Sequence, residues 1–162
     1  MLKRWMFAGV MIVLLPSAGM AASAVVTGAG PRMGFSVDPD QLVLGGQLVI
    51  GEIAPKVTFD PNLDLGFGDN LTVIAVGFDF HYHFSLRNSD WRPYLGAGAG
   101  VHFTDVDRSP PRSDDSYTDV GGNIIIGTGI PTRGGNRFFT EMKLGLGDIP
   151  SLKLLAGWDF RL

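Results

Sequence analysis

The stretch TVIAVGFDFHYHF, residues 72–84, alternates strictly between two kinds of side chain. The even-numbered residues, from Thr72 to Phe84, are mostly large and apolar. The odd-numbered residues, from Val73 to His83, are small or ionisable and include Asp79 and His81. Successive side chains of a strand point to opposite faces of a sheet, so this period of two predicts a β-strand with one apolar and one polar face.

The same period recurs along most of the chain and predicts an all-β protein of eight strands. The predicted strands lie near 32–38, 41–51, 56–68, 71–85, 92–104, 119–131, 137–147 and 151–162. Pro61 lies within the third strand and is expected to break or bulge it, because proline cannot donate a ladder hydrogen bond. All connections are short except DVDRSPPRSDDSYTD, residues 105–119. Short links join antiparallel neighbours, so we expect an up-and-down arrangement.

The polar face decides between a soluble and a membrane protein. It carries many glycines, such as those of LGAGAG at 95–100, and glycine suits the crowded inner wall of a narrow barrel. By strand parity it also carries five basic and six acidic residues, namely Arg32, Asp38, Lys56, Asp60, Asp64, Asp79, Glu141, Lys143, Lys153, Asp159 and Arg161. Confined charges must pair, so this set predicts a polar plug inside a barrel whose apolar face meets lipid. A soluble, lipocalin-like barrel with the apolar face inside is the alternative.

We expect an interior polar network built from members of this set and two histidines. Its predicted residues are Asp79, His81, His83, Glu141, Lys143, Lys153, Asp159 and Arg161. Since eight strands leave a lumen that side chains can fill, a wide pore is not expected.

The first residues have the pattern of a secretory signal peptide. Lys3 and Arg4 precede an apolar run from Trp5 to Leu15, and small residues follow Pro16. The run is shorter than the ~20 residues that a spanning helix needs. We therefore expect residues 1–23 to be a signal peptide and residues 24–162 to form one barrel domain.

Composition excludes several classes of protein. The chain has no cysteine, so it has neither disulfides nor a cysteine to carry a lipoprotein's lipid, and its net charge is −3. A protein with this net negative charge has no overall positive potential that would attract nucleic acid. No cofactor is expected.

With the N-terminus in the periplasm, the chain order places the 105–119 loop outside the cell, and long outer loops with short periplasmic turns are typical of such barrels. This arrangement aligns aromatic residues in a predicted periplasmic girdle, consisting of Phe80, Tyr82, Phe84, Trp91, Phe138, Trp158 and Phe160. The outer loop is the candidate site for contact with a partner, and its proposed contact residues are Asp107, Arg108, Arg112, Asp114, Asp115 and Tyr117.

The chain resembles the small eight-stranded outer-membrane β-barrel family of Gram-negative bacteria, of the opacity-protein and OmpA-barrel type. The resemblance rests on the N-terminal segment, the strand count, RPYLGAGAGVHF at 92–103 and LGDIPSLKLLAGWDFRL at 146–162. That family's last strand usually ends in Phe, whereas this chain ends in Leu162, with Trp158 and Phe160 on the same face.

Three patterns in the sequence are candidates for a metal site, a catalytic site or a phosphate-binding site. His81 and His83, with Asp79, could hold zinc; pairing across the 86–91 turn puts His102 opposite residue 75, too far away to join them. His83-Phe84-Ser85 resembles the His-x-Ser of the lipid A deacylases, but no acid is obviously adjacent. LGAGAG is followed by no helix, so it lacks the anion site of a phosphate loop.

The sequence therefore predicts a non-enzymatic outer-membrane barrel with a structural or surface-interaction role. Its expected partners are outer-membrane lipid, the barrel assembly machinery and an extracellular partner at the outer loop, and it is expected to be monomeric. The alternatives are a lipid-modifying envelope enzyme and a small transporter of hydrophobic compounds.

Overall fold

The structure, a computed structural model, describes residues 25–106 and 116–162. Eight strands follow one another, β1 (Val26–Val37), β2 (Gln41–Ala54), β3 (Val57–Gly68), β4 (Leu71–His83), β5 (Arg92–Val106), β6 (Ser116–Pro131), β7 (Arg137–Gly147) and β8 (Leu152–Arg161). Each strand pairs with its sequence neighbours, and β1 pairs antiparallel with β8. The predicted closed, antiparallel, up-and-down barrel of eight strands is confirmed.

The barrel has two distinct ends. The end that carries Val26, Arg161 and the turns at 55–56, 84–91 and 132–136 is called the terminal end here. The opposite end, with the turns at 38–40, 69–70 and 148–151 and the connection between β5 and β6, is called the loop end. A 3-10 turn, Arg133–Gly135, lies in the 132–136 connection. Between residues 25 and 106 and from 116 onward, no helix is long and apolar enough to cross a membrane.

Several strand boundaries differ from the sequence prediction, among them the start of β1, the end of β5 and the start of β6. β1 begins at Val26, six residues before the predicted start near 32, because VTGAGP offers too few large side chains to display a period of two. β5 continues to Val106 and β6 begins at Ser116, so both strands extend into the predicted 105–119 loop. The prediction of Tyr117 as a loop residue is wrong, because Tyr117 pairs with Thr104 in the β5–β6 ladder.

Pro61 lies inside a continuous β3. Its pairing with β4 is kept, opposite Phe78. The ladder with β2 is interrupted beside it, between the pairs Gln47–Asn62 and Ile50–Phe59. Loss of the proline N–H on that side accounts for this gap.

The two faces of the wall differ as the alternation predicts. Large apolar side chains such as Phe35, Leu63 and Val120 are 65%, 50% and 66% exposed on the outside. Charged residues are buried inside, and Arg32 and Asp79 are only 2% and 1% exposed. Glycines line the interior where a Cβ would strike a neighbouring side chain, as Gly77 does beside Asn62 and Gly98 beside Asp79. This inside-out arrangement is that of a transmembrane barrel, and it contradicts the soluble alternative.

Candidate functional site

Arg32 occupies the centre of the barrel interior. Its Nε donates to Asp64 Oδ1 and its Nη2 to Asp64 Oδ2, both at 2.7 Å. The same guanidinium donates to Asn62 Oδ1 at 2.6 Å and to Gln47 Oε1 at 3.3 Å. Glu141 Oε1 lies 3.9 Å from Nη1. A planar guanidinium with several fixed donors suits such a junction, and here it links β1, β2, β3 and β7.

Two lysines extend this network. Lys143 Nζ forms an ion pair with Asp79 Oδ2 and lies 3.5 Å from Glu141 Oε1. Asn62 Nδ2 also donates to Asp79 Oδ2, at 2.7 Å. Lys153 Nζ is 3.5 Å from Asp64 Oδ2, so this carboxylate serves both Lys153 and the central arginine. The ion pairs therefore connect strands on opposite sides of the barrel.

A histidine–tyrosine cluster lies beside the ion pairs. His81 Nδ1 and Asp60 Oδ2 are 2.7 Å apart, and the Tyr94 hydroxyl donates to Glu141 Oε2 at 3.0 Å. The rings of His81 and Tyr94 have centroids 4.6 Å apart. His83 is half-buried, with Nε2 hydrogen-bonded to Thr58 Oγ1 at 3.1 Å. This cluster fills the lumen between the central arginine and the terminal end.

Asp159 links the network to the terminal end. Its Oδ1 accepts from Gln47 Nε2 at 2.9 Å. Its Oδ2 accepts from Arg137 Nε at 3.0 Å and from Nη2 at 2.6 Å. Both carboxylate oxygens are therefore occupied by partners from β2 and β7.

The structure brings most of the predicted interior residues together. Asp79, His81, Glu141, Lys143, Lys153 and Asp159 are buried in the network, and His83 lies at its margin. Arg161 does not join it. This residue is exposed, and its position at the last paired residue of β8 leaves the side chain at the mouth rather than in the lumen.

Two further residues that parity placed inside are also exposed. Asp38 and Lys56 lie in turns, where the backbone leaves the strand alternation, and both have positive φ angles, 56° and 64°. Gln47, Asn62 and Arg137 were missed as network members although each shares the parity of an inward residue on its strand. Gln47 and Asn62 carry no charge, so a prediction based on charged residues did not include them.

The three histidines do not converge. Ala75 is paired with His102 and Gly96 with His81, so six residues of strand separate the two histidines along β5. The expected position of His102 opposite residue 75 is confirmed. Among residues 25–106 and 116–162, no group of three or more His, Cys, Asp or Glu could hold a metal ion.

His83 and Ser85, which resemble the His-x-Ser motif of the deacylases, have different surroundings. His83 is turned inward toward Thr58, and its nearest aromatic partner is Tyr94, 5.4 Å between ring centroids. Ser85 is exposed beyond the end of β4. Within the residues that the structure describes, the two side chains share no hydrogen bond.

The aromatic residues of the predicted girdle all project outward near the terminal end. Phe80, Tyr82, Phe84, Trp91, Trp158 and Phe160 are between 37% and 54% exposed, and Phe138 is half-buried. Phe138 is paired with Trp158, and their rings are 5.8 Å apart. Phe59, which stacks on Phe80 at 4.9 Å, extends this band and was not among the predicted members.

Each mouth of the barrel holds a cavity. The cavity at the terminal end has a volume of about 430 Å³ and is lined by Arg92, Arg137 and Arg161. The cavity at the loop end, about 280 Å³, is lined by Asp38, His102, Tyr117, Asp119 and Asp148. Of the proposed contact residues, Asp107, Arg108, Arg112, Asp114 and Asp115 lie outside the described residues, as does the predicted signal peptide.

A closed barrel with an apolar outer wall and a charged, hydrogen-bonded interior defines the class of eight-stranded transmembrane β-barrels. Neisserial surface protein A, known from a crystal structure, has a similar fold, with a TM-score of 0.65 and 14% sequence identity. The similarity covers 84% of this chain and 96% of that protein. No protein-family model and no curated protein matches the chain.

Proposed function

We propose that this chain is a non-enzymatic integral protein of the outer membrane, with a structural or surface-contact role carried by its loop end. The observation that carries the proposal is the reversal of polarity across the wall. Leu63, Ile124 and Leu154 face outward while the Arg32–Asp64 pair is buried inside. A barrel built this way has its lowest free energy in a bilayer, since its strands are paired all the way round and no strand edge meets lipid.

Several observations support the outer membrane as the location. The first 23 residues have the pattern of a secretory signal. The fold is similar to that of a protein whose name describes a surface protein. The apolar wall is made of strands of 10 to 16 residues, and tilted strands of ~9–11 residues suffice to span a bilayer.

The filled interior supports a role other than conduction. Side chains from β1, β3, β4, β7 and β8 form ion pairs in the lumen, and these pairs would have to break for a solute to pass. Removing one partner of a buried ion pair costs about 3–5 kcal/mol of stability, because the other charge stays buried without a partner. Binding or enclosure of a solute at the centre is therefore disfavoured, and the exposed ends remain as the places for contact.

Contact with an extracellular partner is assigned to the connection between β5 and β6. It is the longest connection in the chain, and it leaves the barrel next to the half-exposed Tyr117. An interaction is more easily changed in a loop than in a wall, because loops tolerate substitution and insertion. Assembly machinery and outer-membrane lipid complete the proposed set of partners, and the protein is proposed to act as a monomer.

Gel mobility tests the closed barrel. The protein is extracted from membranes and run on SDS gels with and without boiling. A closed barrel gives an unboiled band of different mobility, and added protease cleaves it only within residues 107–115. Identical mobilities, together with solubility in the absence of detergent, would overturn the proposal.

Surface labelling tests the orientation. A short tag inserted between Pro110 and Pro111 should bind antibody on intact cells. The matched control carries the same tag between Asn88 and Ser89, in the 84–91 turn, and should bind antibody only after the outer membrane is permeabilised. The opposite pattern would reverse the orientation, and binding of neither tag before permeabilisation would contradict surface exposure.

A further inference from the structure

The cavity at the terminal end is lined by arginines from three different strands. Arg92 begins β5, Arg137 begins β7 and Arg161 ends β8. All three side chains contribute to one space of about 430 Å³. The adjoining lining includes Asn136, whose side-chain Nδ2 offers further hydrogen-bond donors.

The positive charge in this cavity is only partly balanced. Asp159 is its one carboxylate lining residue, and both oxygens of Asp159 are bonded to Gln47 and Arg137. Within residues 25–106 and 116–162, neither Arg92 nor Arg161 forms an ion pair. Two guanidinium groups thus border the cavity with donors that no described carboxylate takes up.

Glycines make room for two of these arginines. A Cβ at Gly129 would lie 2.7 Å from Arg137 Cδ, and a Cβ at Gly135 would lie 2.9 Å from Arg161 Cδ. Gly135 also has a φ of 80°, which disfavours other residues. Asn136 Oδ1 accepts from the backbone N–H of Arg161 at 3.1 Å and ties the turn to β8. The aliphatic parts of Arg137 and Arg161 therefore pack against the backbone at Gly129 and Gly135, where a larger residue would leave too little space.

The opposite mouth has the reverse charge. Its cavity is lined by Asp38, Asp119 and Asp148, and neither lysine nor arginine lines it. The described residues around that end add further exposed aspartates, namely Asp40, Asp69 and Asp105. Among residues 25–106 and 116–162, arginines therefore line the cavity at the terminal end and not the cavity at the loop end.

We propose that the arginine-lined mouth at the terminal end binds a phosphate-bearing anion. Guanidinium groups bind phosphate oxygens through paired N–H donors, and Arg92 and Arg161, which come from separate strands, have such donors free of any described carboxylate. The phosphate comes either from a lipid headgroup at this end of the barrel or from a soluble phosphate compound. Phe160 is among the lining residues and its side chain is exposed on the outer face, so the cavity borders the outer surface of the barrel at this end.

Binding is tested on the folded full barrel in a non-ionic detergent free of phosphate. Inorganic phosphate and pyrophosphate are titrated by calorimetry against the unaltered protein, R92Q and R161Q. We expect saturable binding that each substitution weakens about tenfold or more, the loss expected for one charge-assisted bond. R133Q removes an exposed arginine from the same turn region without touching the cavity, and it should change the affinity less than about twofold.

The source of the phosphate is tested in nanodiscs of phosphatidylglycerol. If headgroups occupy the site, added phosphate no longer binds there; if they do not, binding persists as in detergent. Either result supports the site, provided that unboiled gel mobility shows all variants folded. Absence of binding up to about 10 mM phosphate in detergent, or an equal loss in R133Q and R161Q, would overturn the proposal.

Discussion

Arg32 on β1 and Asp64 on β3 are joined over the intervening strand β2 by two parallel hydrogen bonds, each 2.7 Å long. Their side chains are 1% and 3% exposed. The strand between them, β2, contributes Gly45 at the same level, and a Cβ there would overlap Asp64 Oδ1. A glycine on the middle strand thus allows the pair to form across it.

Removing one partner of this pair should destabilise the barrel strongly. In D64L the Arg32 guanidinium stays buried with its principal anion gone, and we expect a loss of about 3–5 kcal/mol. The measurement is urea unfolding in lipid vesicles followed by tryptophan fluorescence. D69N, in the exposed turn between β3 and β4, is the control and should stay within about 0.5 kcal/mol. An unchanged D64L midpoint would mean that the interior charges are solvated rather than paired.

Alanine at an inward glycine should cost more than alanine at an outward glycine. A Cβ at Gly34 would overlap the carbonyl oxygen of Leu154 on β8, whereas a Cβ at Gly46 would have Gly30 O as its nearest neighbour, at 3.6 Å. We expect G34A to lose about 1–3 kcal/mol through overpacking, and G46A to be neutral or slightly stabilising. Unfolding midpoints of the two variants under identical conditions provide the comparison, and equal midpoints would contradict the close approach of β1 and β8.

Arginine on the outer wall should be tolerated near the ends and not at the middle. Ile124 lies midway along β6 and is 47% exposed, while Thr118 lies close to the loop end of the same strand. I124R should lose about 2–4 kcal/mol in a bilayer and T118R about 0–1 kcal/mol. The test is unfolding from vesicles. Similar losses in detergent solution and in vesicles, or equal losses for the two variants, would show that β6 is not surrounded by lipid.

Trp158 should lie at the depth of the membrane interface. It projects outward beside Phe138 near the terminal end, as an aromatic girdle residue would. In W91F, lipids brominated near the headgroup should quench tryptophan fluorescence more than lipids brominated near the chain end. The reverse order of quenching would place Trp158 in the bilayer centre and would disprove the girdle.

Loss of the Tyr94 hydroxyl should have a smaller effect than loss of a charge. Y94F removes the donor to Glu141 Oε2 and leaves the ring in contact with His81. We expect a loss of about 1–3 kcal/mol, the cost of leaving a buried acceptor unsatisfied. The unfolding midpoint in vesicles measures it, and Y82F, which removes an outward hydroxyl from the neighbouring strand, is the control and should change little. A loss as large as that of D64L would mean that Tyr94 does more than satisfy one acceptor.

The alternation of residues 72–84 separates the two faces of the wall, because parity is a local property of the chain. The glycines and nearly balanced charges of the polar face then predict that this face is inside. Partners within the lumen were not predictable in the same way. Arg32 and Asp64 are brought together by the exact registers of the β1–β2 and β2–β3 ladders, and Lys143 and Asp79 meet across the lumen of the closed barrel. The sequence therefore indicated a pool of inward charges without their pairings, and it overlooked Gln47 and Asn62, which carry no charge.

Parity also failed where the chain leaves the sheet. Asp38 and Lys56 were counted as inward, although turns with positive φ interrupt the alternation at both. Arg161 was misplaced because the last residue of a strand has no lumen beside it. The start of β1 was not predicted, because Gly28 and Gly30 carry no side chain that could show a period of two. The need for glycine at position 30 is visible only when β8 is in place, since a Cβ there would overlap the carbonyl oxygen of Trp158.

The bond between Gln47 and Asp159 joins residues that are 112 positions apart. Asp159 reaches its place only when β8 has arrived beside β1, which is the last step if the strands assemble in chain order. Until then a partial sheet in the bilayer would leave Gln47 without its carboxylate partner and would have two open strand edges. Such intermediates are costly in hydrocarbon, so insertion is expected to proceed with the sheet already curled, as a single all-or-none event rather than one hairpin at a time.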